Sequence, residues 1–151
     1  MEEKTRYVRQ VPMTIGPVTL EGRLVKLIPM TGEHVDALFA AAKFPALWEL
    51  TGTFPIRTVD DMRKYVAVAL AERDSGQALP FATTDAAMGE VIGSTRFAAI
   101  DLNDHRVEIG WTWIRPDRQR TGINGEAKSL MLQHAFDRWG AMRVEFQTDA
   151  R

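Results

Sequence analysis

Three consecutive segments in the second half of the chain alternate apolar and polar residues, as β-strands do. They are 78–84, 90–100 and 106–114, and the short connections between them, DAAMG and DLNDH, consist of turn residues. Strands that follow one another through short turns pair in an antiparallel manner, because a parallel pair needs a longer crossover. The sequence therefore predicts an antiparallel three-stranded meander, around which the rest of the chain has to fold.

The other segments of the chain predict helices and two further strands. Apolar residues recur at helical spacing in three places, and Thr31 and Thr58 stand where they could cap the first two helices. The pattern indicates an α+β fold. The predicted order is strand (18–30), helix (31–43), helix (58–76), the three strands of the meander, helix (124–139) and a final strand, MRVEFQT, after Gly140.

Composition restricts the class of protein. A chain of 151 residues with 45% hydrophobic and 26% charged residues suits one folded domain. Its net charge of -1 argues against a global attraction to nucleic acid. The absence of cysteine excludes disulfides, thiolate metal sites and a cysteine nucleophile, and the three histidines are far apart in sequence. No apolar run approaches the ~20 residues of a membrane helix, and the charged start MEEKTRYVRQ is unlike a signal peptide. We therefore expect a cytoplasmic protein that binds no metal, nucleic acid or membrane.

A basic loop, RPDRQRTGIN, joins the last strand of the meander to the following helix. The first amides of a helix lack intrahelical partners and lie at the positive end of its dipole, which suits phosphate. Arg115, Arg118 and Arg120 add positive charge where acidic residues are usually preferred, and Gly122 would let a ligand approach the backbone. These residues predict an anion site. The alternative is that the arginines are solvated and Gly122 serves only a turn; the Gly-Lys-Ser/Thr ending of a Walker loop is missing.

The same loop carries a resemblance to a known family. Within QRTGIN, Gln119, Gly122 and Asn124 occupy the positions of the Gln/Arg-x-x-Gly-x-Gly/Ala loop of the GCN5-related N-acetyltransferase (GNAT) superfamily, with Asn124 where Gly or Ala is usual. The loop also follows an EIGW strand and opens a helix, as it does in that family. The chain most resembles the branch that includes ribosomal-protein N-acetyltransferases. The resemblance covers roughly residues 18–151 in element order and 106–148 in motif detail.

The resemblance implies a GNAT-like fold, which is a central, mostly antiparallel twisted sheet flanked by helices, with 1–151 as a single domain. It implies acetyl-CoA as cosubstrate and no metal. The acceptor would bind the first half, 17–76, and acetyl-CoA the second half, 78–151. Amides of the loop would bind the pyrophosphate, arginines would add charge, and the pantetheine arm would lie along the strand GWTWI. The implied cofactor contacts are Trp113, Ile114, Arg118, Gln119, Arg120, Thr121, Gly122, Ile123 and Asn124.

The strand 106–114 supplies the candidate general base. Strict alternation would put one set of side chains in the core and the other set, which is mixed in character, on a face that suits a cleft. Glu108 belongs to the mixed set and would remove a proton from the attacking amine through water. The alternative is an exposed carboxylate or a salt bridge to Arg96 or Arg106. The core set is Val107, Ile109, Trp111 and Trp113, and the mixed set is Glu108, Gly110, Thr112 and Ile114.

The sequence ends where the family normally continues. After FQTDAR, the family has another helix and two strands, which contact the cofactor and often supply a tyrosine that protonates the departing thiolate; these have no match here. The leading hypothesis is an enzyme that transfers an acetyl group from acetyl-CoA to a primary amine, either a protein N-terminus or a small-molecule amine, by direct attack. The alternative is a truncated, catalytically inactive GNAT-like module with weak or no CoA binding.

Two further expectations concern the partners of the chain. A last strand with an open edge would favour homo-oligomers, because unpaired N–H and C=O groups invite pairing with another chain. The acceptor amine is not specified by the sequence. The loop 44–55 is predicted to shape its pocket.

Overall fold

The structure is a computed structural model in which residues 13–48 and 56–146 are described. Most of the loop predicted to shape the acceptor pocket, 49–55, lies outside these residues. One six-stranded sheet has its strands in sequence order, antiparallel from the first to the fifth, while the sixth is parallel to the fifth. The strands are Leu20–Glu21 (β1), Val25–Pro29 (β2), Leu79–Asp85 (β3), Val91–Asp101 (β4), Arg106–Ile114 (β5) and Arg143–Phe146 (β6). The predicted antiparallel meander is confirmed as β3, β4 and β5.

Three α-helices flank the sheet in the described residues, and both predicted threonine caps are present. The Thr58 hydroxyl accepts a hydrogen bond from Asp61 N at 3.1 Å, and the Asp61 carboxylate accepts one from Thr58 N at 3.0 Å. Thr31 and His34 form the same reciprocal arrangement at the 3-10 turn that precedes the first helix. The helices are Val35–Ala42 (α1), Val59–Asp74 (α2) and Ile123–Gln133 (α3), and α3 continues into a π-helical turn over His134–Arg138.

Two apolar clusters cover the two faces of the sheet. Helix α3 packs on one face, where it contacts β1, β2 and β5, whereas α1 contacts β4 and α2 contacts β3 on the other. A strand residue can therefore be assigned to a face by the cluster that it joins. The α3 cluster includes Leu27, Phe81, Phe97, Val107, Ile109 and Met131, and the α1–α2 cluster includes Met30, Leu38, Trp48, Met62, Val66 and Trp113.

The single strand predicted over 18–30 is instead two strands, β1 and β2, joined by a tight turn. A carboxylate from another element explains the break. Glu126 of α3 accepts hydrogen bonds from the main-chain N–H groups of Arg23, Leu24 and Val25 at 2.9, 2.7 and 2.9 Å. A Cβ at Gly22 would lie 2.3 Å from this carboxylate, so a side chain there would have to displace Glu126 from its three hydrogen bonds. The amides that a straight strand would direct to a neighbour are taken up by α3.

Candidate functional site

The connection between β5 and α3 is the basic loop of the sequence. After a 3-10 turn at Pro116–Arg118, the backbone takes a positive φ of 61° at Arg120 and 90° at Gly122. Gly122 is the N-cap residue of α3, and no side chain caps this end of the helix. The first amides of α3 thus have neither an intrahelical acceptor nor a capping side chain. The backbone groups that the sequence predicts for an anion are therefore uncapped, and the anion site itself stays a prediction.

Arg115 is neutralised by two carboxylates. Its Nη1 lies 2.8 Å from Glu90, in the turn between β3 and β4, and its Nε lies 2.6 Å from Asp117 in the loop itself. Hydrogen bonds from Arg115 hold the pKa of both carboxyl groups below its usual value. Arg115 therefore fastens the loop to the β3–β4 turn.

Arg118 is neutralised in the same way. Its guanidinium hydrogen-bonds to Asp85, whose side chain is 7% exposed, and this bond is the main cause of the lowered pKa of that carboxyl. The unbalanced positive charge predicted for this helix start is therefore absent at Arg115 and Arg118. Arg120 is exposed and has no ion pair with any described residue. It is the loop arginine whose charge is left for a ligand.

The other predicted loop residues hold the backbone in place. The Gln119 side-chain amide donates a hydrogen bond to Ile114 O at 2.9 Å, and the Thr121 hydroxyl donates one to Arg118 O at 2.7 Å. At Gly122, a Cβ would lie 3.2 Å from the Leu24 side chain, in addition to the strain of a positive φ. Apart from the Arg120 side chain, the groups of this loop that remain for a ligand are those of the backbone.

A β-bulge in β5 changes the predicted faces of that strand. Arg96 pairs with Gly110 and Ser94 pairs with Trp113, so Thr95 alone opposes two residues, and Trp111 has a φ of 55°. Val107 and Ile109 are in the α3 cluster as predicted. The prediction that Trp111 and Trp113 lie on the same face as Val107 and Ile109 is wrong, because the extra residue reverses the alternation. Trp113 joins the α1–α2 cluster, and Trp111 is 39% exposed.

The side chains of Trp113 and Ile114, two of the predicted cofactor contacts, are buried in opposite clusters. Trp113 donates to the Tyr65 hydroxyl at 3.3 Å and packs against Trp48, while Ile114 joins the α3 cluster. Only their backbone is open to a ligand. On the β6 side of β5, pairing extends from Arg106 to Ile109, and no described residue pairs with the segment from Gly110 to Ile114. This unpaired edge includes the bulge.

Glu108, the predicted base, stands on β5 three residues before Trp111, the first residue of the bulge. It is half-buried and pairs across the strands with Ala98 and Glu145. The salt bridges considered for it do not form, because Arg96 bonds to Glu72 at 2.9 Å and Arg106 to Asp101 at 3.2 Å. Within the described part of the chain, the Glu108 carboxylate has no ion pair or hydrogen bond.

Sequence reasoning missed two features near this site. Arg96 is 2% exposed, and its guanidinium lies 4.5 Å from the centre of the Trp111 ring. This cation–π contact stabilises the position of Trp111 in the bulge. Lys128, in the second turn of α3, hydrogen-bonds to Thr112 in the bulge. A lysine in an amphipathic helix normally indicates a solvated face. Strict alternation places Thr112 on the face away from α3, and only the bulge turns it toward Lys128, so the sequence pattern contains no signal for this contact.

A separate groove of about 680 Å³ lies between the start of β1 and the end of α3, and it contains none of the predicted site residues. Its lining includes His134, whose pKa is lowered by burial and which packs edge-on against Trp139. Across 13–48 and 56–146, no group of His, Asp and Glu side chains could hold a metal ion. No helix in these two segments is long and apolar enough to cross a membrane.

Solved structures similar to this chain are acetyltransferases. A GCN5-related N-acetyltransferase from Brucella melitensis has a TM-score of 0.80 and 28% identity, over 89% of this chain and 62% of that chain. A GNAT-family protein from Chromobacterium violaceum, described as a probable acetyltransferase, has a TM-score of 0.85 and 23% identity, over 95% and 72%. RimL, a ribosomal L7/L12 alpha-N-protein acetyltransferase in complex with coenzyme A, has a TM-score of 0.72 and 21% identity, over 84% and 73%.

These relatives share the fold, and the chain spans 62% of the length of the first of them. No curated protein matches the chain. The family model of the acetyltransferase (GNAT) domain matches residues 24–151, which is most of the sequence. The predicted resemblance is confirmed by this match, and the chain belongs to the GNAT acetyltransferase family.

Proposed function

We propose that the protein transfers an acetyl group from acetyl-CoA to a primary amine by direct attack of the amine on the thioester. The observation that carries this proposal is that one GNAT domain contains both an uncapped helix start at Gly122 and a β-bulge at Trp111. The first suits the pyrophosphate of acetyl-CoA and the second suits its thioester. The proposed cofactor contacts are the backbone of Trp113 and Ile114 and the loop residues Gln119, Arg120, Thr121, Gly122, Ile123 and Asn124, with Arg118 supporting the loop.

The pyrophosphate fits the start of α3 for electrostatic reasons. Free amides and the helix dipole attract an anion, and Gly122 has no side chain to block the approach. Arg120 adds a charge that no described carboxylate neutralises. Arg118, which is bonded to Asp85, acts here by holding the loop in place.

The thioester arm fits the unpaired edge of β5. Backbone N–H groups at a bulge lack strand partners, and such groups can hydrogen-bond the thioester oxygen as negative charge develops on it. The acceptor nitrogen then attacks the acetyl carbon. Glu108 takes up the proton of the amine through a water molecule, a type of contribution that is typically ~10²–10⁴-fold.

The acceptor is proposed to bind on the first half of the domain, residues 17–76, opposite the half that binds acetyl-CoA, residues 78–151. RimL is an alpha-N-protein acetyltransferase, which makes a protein N-terminus one acceptor to test. A small-molecule amine is the other. The proposal includes the cytoplasm as the compartment of the reaction.

A two-part experiment tests this function. Thermal unfolding with and without CoA measures binding, because a ligand that binds only the folded state raises its stability. Release of free thiol from acetyl-CoA, with a panel of amines and peptide N-termini, measures turnover. Protection together with amine-dependent thiol release supports the proposal. Binding without turnover across the panel would favour the inactive module, and absence of both would overturn acetyl-CoA as the ligand.

A further inference from the structure

Lys128 is a half-buried cation whose partner is a hydroxyl group and not a carboxylate. Its ammonium donates a hydrogen bond to Thr112 Oγ1, which lies 2.8 Å from Thr95 Oγ1. The two threonine hydroxyls lie 3.4 and 3.5 Å from Gly110 O, respectively. Lys128 is thereby connected to Thr112 in the β5 bulge and, through the two hydroxyl groups, to Gly110 just before it.

No charged group of the described residues compensates Lys128. Burial alone lowers its pKa to about 8. Glu108 stands next to Ile109 on β5, whose side chain is on the α3 face, and therefore points to the other face. The remaining charged groups on the elements around α3 are engaged elsewhere: Glu21 with Lys26, Arg96 with Glu72, Arg106 with Asp101, and Glu126 with the β1–β2 turn.

We propose that Lys128 is the general acid of the acetyl transfer, the group that gives a proton to the sulfur of the departing CoA. This inference rests on the proposed function, which puts the thioester at the β5 bulge. Lys128 is bonded to that bulge through Thr112, and it belongs to the helix whose start would bind the pyrophosphate. An ammonium has three N–H donors, and Thr112 uses one of them.

The proton transfer is chemically balanced. The acceptor nitrogen forms a bond to the acetyl carbon, the C–S bond breaks, and its electron pair stays on sulfur. One Nζ proton passes to sulfur to give the free thiol, while the nitrogen loses its own proton to Glu108 through water. Lys128 becomes neutral and regains a proton from solvent. An alkyl thiol has a pKa of ~8.5, close to that of Lys128, and a general acid acts best when its own pKa lies near the operating pH.

Kinetics of two variants test the role. Lys128→Met removes the charge, whereas Lys128→Arg keeps it in a group that does not release its proton near neutral pH. We expect kcat with acetyl-CoA to fall on the order of 10²-fold in both variants, with little change in KM. In the wild type, kcat should decline above about pH 8, because the acid has to be protonated; this decline should disappear in both variants. Lys64→Met, at an exposed position of α2, is the matched control.

An NMR titration gives a readout that does not depend on turnover. The lysines are dimethylated with ¹³C, and the Lys128 signal is assigned by its absence in Lys128→Arg. We expect that signal to titrate near pH 8 in the free protein and to shift when CoA is added, since Nζ would contact the thiol. A signal that titrates like the exposed lysines, or that ignores CoA, would overturn the proposal.

The outcomes separate this proposal from the one it rests on. If the wild type neither binds CoA nor releases thiol, both proposals fail together. If the wild type is active and Lys128→Arg has the same kcat and pH profile as the wild type, Lys128 has a structural role. In that case the general-acid proposal fails and the acetyl-transfer proposal stands. If both variants have a higher KM and an unchanged kcat, Lys128 is not the general acid and instead contributes to binding of the pantetheine arm.

Discussion

At the scale of single residues, Glu126 is the side chain that organises the start of the sheet. Its carboxylate accepts three main-chain N–H bonds from the β1–β2 turn, although it belongs to α3. Partial burial acts to raise its pKa, but the three hydrogen bonds outweigh burial and the pKa is lowered. One carboxylate therefore joins the helix that carries the candidate cofactor loop to the hairpin at the edge of the sheet.

Replacing Glu126 tests this connection. Glu126→Ala leaves three N–H groups without their acceptor, two of them partly buried, so the free energy of unfolding should fall by about 1–3 kcal/mol. The pKa of Glu126 is lower in the folded state than in the unfolded state. The stabilisation that its carboxylate provides is therefore present above the pKa of the unfolded state, ~4.3, and is lost as the pH falls through the pKa of the folded state. Urea unfolding at pH 7 and at several acidic pH values measures both effects. Glu33→Ala, at an exposed carboxylate, is the control; equal unfolding midpoints for the two variants would contradict the role.

Glu108 is the second residue with a defined expectation. Glu108→Gln preserves shape and removes the base, so turnover at neutral pH should fall on the order of 10²-fold while CoA still protects against heat. Glu145→Gln is the matched comparison, since Glu145 lies beside Glu108 across β5 and β6 and is bonded to Arg143. Wild-type turnover of Glu108→Gln across the pH range would remove Glu108 as the base and leave an ordinary strand carboxylate.

At the scale of elements, the start of α3 depends on one glycine. Gly122 has a φ of 90° and a neighbouring side chain 3.2 Å from where a Cβ would stand. Gly122→Val should therefore displace the first amides of α3 and abolish the rise in unfolding temperature that CoA produces in the wild type. Gly76→Val is the control for backbone strain, because Gly76 has a φ of 83° at the end of α2 with no atom nearby. Undiminished CoA protection in Gly122→Val would exclude this loop as the pyrophosphate site.

The elements that the sequence predicts well are those with local signals. The α2 start follows from Thr58 and Asp61, which are three residues apart and bond to each other's backbone, while Asp61 also accepts a hydrogen bond from Arg57 N. The meander follows from alternation and short turns. Gly122 and the uncapped helix after it follow from the loop motif. In each case the residues that decide the structure are close together in the sequence.

The errors arise where distant residues decide the structure. The charges of Arg115 and Arg118 are balanced by Glu90 in the β3–β4 turn and by Asp85 at the end of β3, and the sequence does not show that these carboxylates lie next to the loop. The bulge at Trp111 depends on how β4 and β5 are registered, and alternation within β5 alone cannot reveal an extra residue. These two errors concern the candidate site, whereas the split of the predicted strand 18–30 depends on Glu126, which is likewise distant in sequence.

At the scale of the whole molecule, the sheet separates two environments and the candidate site lies where they meet. Helix α3 and its cluster cover one face, and α1 and α2 cover the other. Lys128 approaches the β5 bulge from the α3 face, whereas Trp113 and Arg96 approach it from the α1–α2 face. A thioester at the unpaired edge of β5 would thus be reached by an acid from one side and by an acceptor amine from the other.

The outer strand of this sheet gives the last prediction. In the part of the chain that the structure describes, β6 pairs only with β5, and near it Met142 and Phe146 are 68% and 47% exposed. Unpaired strand groups beside apolar side chains favour pairing with a second copy. We expect these 151 residues in solution to self-associate, with an average mass by light scattering that rises with concentration.

Phe146→Lys should reduce the association, because a charge at a strand edge opposes pairing, whereas Met88→Lys, at a methionine 76% exposed in the β3–β4 turn, should not. A constant monomer mass over the concentration series would show that the edge of β6 is already protected.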